Sequence, residues 1–294
     1  MHSDKKTPRV LIVAGSDSSG GAGIQADIKT CAAFGVYSAT AITAITAQNT
    51  VGVQRVEATS ADLVSAQMRS VLSDIGADVI KIGMLANADI IKAVADIIIN
   101  EAEDVSVVLD PVMVATSGDK LLEDDAVEAM KELLIPLADV ITPNVDEAEI
   151  LTGMRPEDAN GLTQAGERLL EMGAFAALMK GGHLDSKSIT DILVTPGGNH
   201  IMSAPRIYSR HTHGTGCTLA SAVAAMLAID KVRGGAPLEV AAREAREFVF
   251  EAIRTAPKLG KGNGPLNHGL NTGDESATPK EPDASNPFAA LKDL

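Results

Sequence analysis

The residues best suited to chemistry form the run HGTGCT at 213–218, directly before an alanine-rich stretch. Its two glycines let the backbone turn sharply and point successive N–H groups into one small concavity. The stretch at 219–229 predicts a helix, whose N-terminus would add positive potential there. The same field would stabilise the thiolate of Cys217 in the first turn. The run therefore predicts a site that holds a transferring phosphoryl group beside a base. The alternative is a tight turn into a core helix with a structural cysteine.

A second constellation lies at 14–27 (AGSDSSGGAGIQAD), between a strand-like run and a helix-like segment. Its glycines and serines let a ligand approach the backbone closely. It lacks the Gly-Lys-Ser/Thr ending of a P-loop, and its glycine spacing does not fit a dinucleotide fingerprint. Asp27 is expected one turn into the following helix, facing back over the loop. Two roles fit Asp27: contact with a ligand and compensation of the helix dipole.

Composition excludes several classes of protein. The formal net charge of −14 favours solubility and argues against a nucleic-acid partner. Aromatic residues make up 2% of the chain and tryptophan is absent, which excludes a base-stacking platform. The two cysteines exclude a disulfide scaffold and favour a reducing compartment, so we expect a cytoplasmic protein. No apolar run approaches the ~18 residues of a membrane span, so no membrane partner is expected.

Short apolar runs alternate with amphipathic segments along most of the chain. This alternation predicts an α/β fold with a mainly parallel sheet covered on both faces. Ligands bind such sheets beyond the carboxyl ends of the strands. The strand-like runs are 10–14, 39–44, 79–82, 105–109, 140–142 and 176–179, and the helix-like segments are 24–34, 61–75, 89–99, 125–134 and 163–172. The glycines and polar residues near strand ends are Gly15, Asp17, Lys81, Gly83, Asp110, Asn144 and Lys180.

The C-terminal third contains a hairpin, two helices and a change of composition. Runs 189–194 and 200–204 flank the turn-forming residues TPGGN, which predicts a hairpin near the sheet edge. A last amphipathic helix is predicted at 238–255. Residues 270–294 are rich in Gly, Asp, Glu, Ser, Pro and Asn, which predicts a disordered acidic tail. We therefore expect one domain over 1–269, followed by this tail.

The motif at 20–27 (GGAGIQAD) and the run at 213–218 resemble motifs of the ribokinase-like superfamily. More narrowly, the chain is similar to the hydroxymethylpyrimidine/phosphomethylpyrimidine kinases of thiamine biosynthesis. Each block is weak alone, but the ordered set is specific and covers about 10–268. The resemblance implies a three-layer αβα sandwich with a mainly parallel central sheet. The other matching blocks are 43–50 (TAITAQNT), 81–85 (KIGML), 109–113 (LDPVM), 142–144 (TPN), 178–183 (LMKGGH) and 261–268 (KGNGPLNH).

The resemblance implies roles for the residues of the 213–218 run. The backbone of Gly214, Thr215, Gly216 and Cys217 would form the anion hole for the transferring phosphate. Cys217 would be the base that accepts the proton of the attacking hydroxymethyl group. Because a thiol has an ordinary pKa near ~8.5, that role requires a lower value, which we expect the helix N-terminus to favour.

The resemblance also implies which residues hold the acceptor. Asp27 and Gln48 would contact an aminopyrimidine, because carboxylate and amide groups suit an amino group beside a ring nitrogen. Gly15 would lie at the same site, and Met84 and Val112 would contact the apolar faces of the ring. Ordinary core packing is the alternative for the two apolar residues.

Binding of ATP and Mg²⁺ is implied as well. Asn144 and Glu147 match an Asn-x-x-Glu element that helps to hold Mg²⁺ through water, and Asp110 would add to the metal or phosphate network. The alternative is a helix N-cap with acidic first-turn residues. Lys180 would meet the ATP phosphates as a point charge, unless it is a surface lysine, and His213 is assigned to ATP binding. A monovalent cation is a further candidate cofactor.

The implied activity is MgATP-dependent phosphorylation of 4-amino-5-hydroxymethyl-2-methylpyrimidine to its monophosphate and then its diphosphate. The alternative is a pyridoxal or pyridoxine kinase of vitamin B6 salvage, which Gln48 disfavours because pyridoxal lacks the amino group. Two rivals of other classes are a thiol hydrolase using Cys217 and His213 and a non-catalytic sensor of the precursor. The family commonly forms homodimers, so a second copy is an expected partner. One departure from the family pattern is Ser18, at a place often held by proline.

Overall fold

A nine-stranded sheet runs through the computed structural model, which describes residues 6–114, 118, 122–182, 184, 187–234 and 237–270. The strands are β1 (Arg9–Asp17), β2 (Tyr37–Asn49), β3 (Gly52–Ala58), β4 (Val79–Ile82), β5 (Ser106–Leu109), β6 (Val140–Ile141), β7 (Ala177–Met179), β8 (Ser188–Thr195) and β9 (Gly198–Pro205). Their order is β3-β2-β1-β4-β5-β6-β7-β8-β9. The pairs from β2 to β7 are parallel, whereas β3, β8 and β9 pair antiparallel with their neighbours. The predicted α/β fold with a mainly parallel sheet is confirmed.

Helices cover both faces of this sheet. They are α1 (Gly23–Ala33), α2 (Ala61–Asp74), α3 (Ala88–Glu101), α4 (Asp124–Ala129), α5 (Val145–Thr152), α6 (Ala159–Glu171), α7 (Thr215–Arg233) and α8 (Leu238–Arg254). Val10 and Ile12 of β1 pack in one core with α1, α7 and α8. Leu11 and Val13 pack in the other core with α2, α3 and α6. Because successive side chains of a strand point to opposite faces, this segregation defines a three-layer αβα sandwich.

The carboxyl end of β1 is shaped for close approach. The pairing of β1 with β2 shifts register between Ala14 and Ser16. Such a bulge bends a strand and redirects the side chains that follow it. A Cβ atom at Gly15 would lie 2.9 Å from Cε of Met84, so a side chain there would displace that methionine. The bulge and the glycine therefore leave open space where the strand ends.

Some elements differ from the sequence analysis. Strand β3 was not predicted, because most of its residues are exposed and give no buried apolar pattern. The predicted helix at 125–134 is α4 followed by a π-helical turn over Met130–Leu134. Helix α5 is a separate element between β6 and α6. The predicted tail at 270–294 lies outside the described residues except for Leu270.

Helix α7 corrects one statement of the sequence analysis. Within the described ranges, it is the one helix long and apolar enough to cross a membrane, with a mean hydropathy of 1.3. Core helices of soluble proteins are often as long and apolar, and 56% of the apolar stretch of α7 is buried inside the protein. Helix α7 packs against α1, α8 and the central strands. Its surroundings are therefore those of a core helix.

Candidate active site

A cavity of about 970 Å³ opens at the carboxyl ends of the parallel strands. Residues that follow β1, β4, β5, β6 and β7 line it, together with the first turn of α7. These strands are neighbours in the sheet, so their ends meet at one edge. The lining contains every predicted site residue except Asp27: Gly15, Gln48, Met84, Asp110, Val112, Asn144, Glu147, Lys180, His213, Gly214, Thr215, Gly216 and Cys217.

The glycine turn, residues 213–218, leads from the cavity wall into α7. Gly214 has a φ of +82°, in the left-handed region that favours glycine. A Cβ atom at Gly214 would lie 1.9 Å from the carbonyl oxygen of Gly21. Both observations require glycine at this position, because a side chain would collide with the first loop.

The first turn of α7 presents free donors to the cavity. The N–H of Thr215 donates to the carbonyl of Thr212 at 3.2 Å. Among the residues that the structure describes, the N–H groups of Gly216 and Cys217 have no hydrogen-bond partner. Unpaired N–H groups at a helix N-terminus favour a negatively charged ligand. The predicted anion hole therefore has two backbone donors that no described residue engages.

A lysine and two carboxylates lie beside these donors. Lys180 Nζ is 3.1 Å from Asp110 Oδ1 and 3.6 Å from Glu147 Oε2. Burial alone would lower the pKa of Lys180, but the two carboxylates hold that pKa above its ordinary value. Burial raises the pKa of Glu147 to about 7. A Cβ atom at Gly216 would lie 3.2 Å from Lys180 Nζ, so the missing side chain lets the ammonium group reach the turn.

Asn144 has the structure of a helix cap. Its Oδ1 accepts a hydrogen bond from the N–H of Glu147 at 2.9 Å, and Glu147 Oε2 accepts one from the N–H of Asn144 at 2.8 Å. This reciprocal pair is a capping box that opens α5. The cap alternative of the sequence analysis is therefore present, and it orients the Glu147 carboxylate toward Lys180. Within the described residues, no group of three or more His, Cys, Asp and Glu side chains is arranged to hold a metal ion.

The structure places Asp27 below the cavity, not in its lining. The side chain is fully buried, and both its oxygens lie 2.9 Å from Lys81 Nζ. Ser221 Oγ donates to Asp27 Oδ1 at 2.7 Å. Burial raises the pKa of Asp27, and the Lys81 ammonium opposes that change. The predicted contact between Asp27 and a ligand is thus replaced by an ion pair with Lys81, which itself lines the cavity.

Cys217 is partly exposed, but its surroundings disfavour the thiolate. Burial raises the pKa of its thiol to about 12, and the carboxylates of Asp27 and Asp110 act in the same direction. The Lys81 ammonium and the N–H of Gly23 oppose the rise. The expectation of a lowered pKa is therefore wrong, because loss of hydration outweighs the helix N-terminus.

His213 does not face the Lys180 side of the site. Its Nε2 is 2.8 Å from Asp17 Oδ2 and 3.4 Å from Gln48 Nε2. Its ring therefore lies beside the residue assigned to the acceptor, whereas an ATP contact was predicted. The Asp17 carboxylate also accepts hydrogen bonds from Ser19 and from the N–H of Ala22, which fix its position. Asp17 is therefore the group that orients His213.

Ser18 connects the first loop to the end of β2. Its hydroxyl accepts a hydrogen bond from the N–H of Gln48 and donates one to the Gln48 carbonyl, both at 2.8 Å. A proline lacks the hydroxyl needed for this pair of contacts. The departure from the family pattern at Ser18 therefore fixes the backbone of the residue assigned to the acceptor.

Comparisons with known proteins agree with this architecture. The family described as phosphomethylpyrimidine kinase matches residues 17–267. This chain belongs to that family. It is 46% identical to the hydroxymethylpyrimidine/phosphomethylpyrimidine kinase of Streptomyces coelicolor, over 91% of this chain and 96% of the relative. The phosphomethylpyrimidine kinase structure of Clostridium difficile 630 is 40% identical, covers 84% of this chain and 100% of its own, and has a TM-score of 0.73.

A second kind of vitamin kinase shares the fold. The pyridoxal kinase of Staphylococcus aureus in complex with pyridoxal has a TM-score of 0.82 and 32% identity, over 90% of this chain and 95% of its own. The ribokinase-like sandwich expected from the resemblance is confirmed by these neighbours. Similarity of the whole fold does not separate the two kinds of kinase, so the acceptor must be argued from the cavity.

The sequence analysis missed part of the cavity wall. Residues 206–210 line it, although they form no regular element. Phe250 and Ile253 of α8 line it as well. Apolar residues on an amphipathic helix predict core packing, so nothing in their pattern indicated a ligand. Lys81 and Asp17 had a usable signal, because both fall at the carboxyl ends of strands.

Proposed function

We propose that this kinase transfers the γ-phosphoryl group of ATP to the hydroxymethyl group of 4-amino-5-hydroxymethyl-2-methylpyrimidine, and then transfers a second phosphoryl group to the monophosphate. The observation that carries the proposal is the pair of unused N–H donors, on Gly216 and Cys217, that share one cavity with Lys180. Phosphoryl transfer depends on positioning and on neutralising charge. The family membership of the chain supports the same reaction.

The acceptor would lie at the β1 and β2 side of the cavity. The Gln48 amide both donates and accepts, which suits a ring nitrogen beside an amino group. Met84 and Val112 supply apolar contacts in the same lining. Gly15 keeps the space that a side chain would take from Met84. Lys81 lines the cavity as well, and the buried Asp27 carboxylate pairs with its ammonium group.

The transferring group would lie between the glycine turn and Lys180. The N–H donors of Gly216 and Cys217 and the Lys180 ammonium neutralise its charge. For the first transfer, we assign Cys217 as the base that takes the hydroxymethyl proton. The second acceptor is a phosphate oxygen, which is already largely deprotonated and needs no base.

Mg²⁺ fits the acidic residues of this cavity. Asp110 Oδ2 is buried and has no hydrogen-bond partner within the described part of the chain. Such an oxygen suits a cation, and Mg²⁺ prefers oxygen ligands together with retained waters. Asp110, Glu147 and Asn144 would hold the ion, largely through water. When bound, Mg²⁺ neutralises charge on the ATP phosphates. We include a monovalent cation as a further cofactor to be tested by adding KCl.

Pyridoxal is the alternative substrate. The observation that favours it is the similarity to the pyridoxal-bound Staphylococcus aureus kinase. Gln48 argues for the pyrimidine, because pyridoxal has no amino group for its amide to read. The family match and the relatives named as pyrimidine kinases also place pyridoxal second.

The deciding experiment incubates purified protein with MgATP and either hydroxymethylpyrimidine or pyridoxal. Mass spectrometry then follows the products over time. We expect the pyrimidine monophosphate first and the diphosphate later, with slower turnover of pyridoxal. Phosphorylation of pyridoxal alone would indicate a kinase of vitamin B6 salvage. The absence of an ATP-dependent product from both acceptors would contradict the kinase proposal.

We propose further that the protein is a cytoplasmic homodimer. Edge strand β3 and its neighbour β2 expose apolar side chains, including Ile45 and Val56, on the two faces of the sheet. Exposed apolar side chains at an open sheet edge are typical of an interface with another chain. A second copy of this chain is the partner that the family's common assembly favours.

A further inference from the structure

The C-terminal segment, residues 260–268, contacts the glycine turn but does not line the cavity. His268 Nε2 lies 2.9 Å from Thr218 Oγ1. The same hydroxyl lies 2.8 Å from the carbonyl oxygen of Gly214, which also accepts the N–H of Thr218 at 2.9 Å. The His268 imidazole, the Thr218 hydroxyl and the Gly214 carbonyl therefore form a chain of contacts that links this segment to the glycine turn.

The direction of these hydrogen bonds follows from the number of hydrogens. A threonine hydroxyl has one hydrogen, and the Gly214 carbonyl can only accept. The Thr218 hydroxyl must therefore donate to Gly214 and accept from His268, which assigns the Nε2–H form of the imidazole. Burial lowers the pKa of His268 to about 4, and Lys29 on α1 acts in the same direction, so the ring is neutral at pH 7.

A second tether holds the other side of the turn. The N–H of His213 donates to the Gly264 carbonyl at 3.1 Å, and His213 forms an isolated β-bridge with Pro265. Earlier in the same segment, the N–H of Asn263 donates to the Thr50 carbonyl at 2.7 Å. The segment thus connects the glycine turn with the strand end that carries Gln48.

We propose that His268 is a positioning residue for phosphoryl transfer, because it holds the Gly214 carbonyl through Thr218 and so fixes the direction of the donors on Gly216 and Cys217. The inference rests on the proposed function. With its carbonyl held by Thr218, Gly214 cannot turn an acceptor oxygen toward the incoming phosphate. Without the hydrogen bond from His268, the Thr218 hydroxyl is no longer fixed on the Gly214 carbonyl, which then keeps the N–H of Thr218 as its one firm donor among the described residues.

The test measures kcat and KM for hydroxymethylpyrimidine and ATP in matched variants. His268→Leu removes the donor, His268→Gln keeps an N–H donor, and Thr218→Val removes the hydroxyl at nearly constant shape. We expect His268→Leu and Thr218→Val to lower kcat on the order of 10- to 100-fold, with KM nearly unchanged, because misplaced groups slow the chemical step. His268→Gln should restore most of the rate, and the double variant should lose no more than the worse single variant.

Several results would overturn the proposal. One is an unchanged kcat in His268→Leu. Another is an equal loss in His268→Leu and His268→Gln that follows a fall in the unfolding midpoint, which would indicate a purely structural role. His200→Leu, at an exposed position on β9, controls for loss of a histidine.

Failure of the proposed function gives a different result. If the wild-type protein phosphorylates neither acceptor, calorimetric binding of a non-hydrolysable MgATP analogue still tests the glycine turn. Weaker binding in His268→Leu, restored in His268→Gln, supports the positioning role. Equal binding in all three proteins contradicts it.

Discussion

Cys217 shows how burial and the helix dipole compete at one residue. The rise of its thiol pKa from 9.0 to about 12 corresponds to roughly 4 kcal/mol against the thiolate. A helix N-terminus typically contributes about 0.3–1 kcal/mol in favour of a negative charge. Loss of hydration therefore wins, and the resting group is a thiol. The N–H donors beside it serve the phosphate better than they serve the sulfur.

The Cys217→Ala variant tests the assignment of this residue as the base. We expect the first phosphorylation to fall on the order of 100-fold or more, because a positioned base contributes that much. The second phosphorylation should stay within a few-fold of wild type. Each step is measured separately, starting from the alcohol or from its monophosphate. Cys31→Ala, at a buried cysteine outside the cavity lining, is the control.

The pH dependence gives an independent measurement of the same assignment. Below a pKa of about 12, the thiolate fraction rises about tenfold for each pH unit. The first step should therefore quicken between pH 7 and pH 9 while the second step changes little. Equal losses in both steps of Cys217→Ala, or a flat pH profile for the first step, would contradict a base at Cys217.

The ion pair between Asp27 and Lys81 marks the limit of prediction at single residues. The sequence analysis placed Lys81 at a strand end and Asp27 one turn into a helix, and both positions are right. The two residues are 54 positions apart, so their contact depends on β1 and β4 lying side by side. Residue types indicated which groups do chemistry, whereas packing decided which of them reach the cavity.

At the scale of elements, buried strands were predictable and exposed ones were not. Strand β4 is buried throughout, and all its residues except Lys81 are apolar, which is typical of a strand covered on both faces. Strand β3 packs on one neighbour at the sheet edge and is mostly exposed, so hydrophobicity gives it no signal. The turn into α7 was predictable because only glycine tolerates the conformation of Gly214.

A substitution of Glu147 in α5 separates its role in the helix cap from its proposed role in binding Mg²⁺. Glu147→Gln should keep the capping box, because an amide oxygen also accepts from the N–H of Asn144. The free energy of unfolding should change by less than about 1 kcal/mol, while the Mg²⁺ concentration for half-maximal activity rises several-fold because a charge is lost. Urea unfolding and magnesium titration of the activity measure the two effects.

The N-cap of α6 provides the matched control for α5. Asp158 caps that helix by accepting from the N–H of Gly161, and it does not line the cavity. Asp158→Ala should cost about 1 kcal/mol of stability and leave the magnesium dependence unchanged. An unchanged magnesium titration in Glu147→Gln would mean that Glu147 acts only as a cap.

At the scale of the whole molecule, a chain with a net charge of −14 must bind a polyanion. Long-range attraction cannot draw ATP to such a protein, so local groups must offset the repulsion. The glycine turn and Lys180 provide that offset within one cavity. The net charge indicates this need, whereas the sheet order brings the residues that satisfy it together at one cavity.

The domain boundary predicted at residue 269 can be tested by two truncations. A chain ending after Gly269 keeps the C-terminal segment, including buried Leu266 and His268, so its unfolding midpoint and kcat should match the full chain. A chain ending after Leu259 loses the contacts to Thr218 and His213, so kcat should fall at least about tenfold, because the glycine turn loses its support. Thermal unfolding and the pyrimidine kinase assay on both proteins measure this. Equal damage in the two truncations would extend the domain into residues 270–294, and full activity of the shorter one would show that the segment is dispensable.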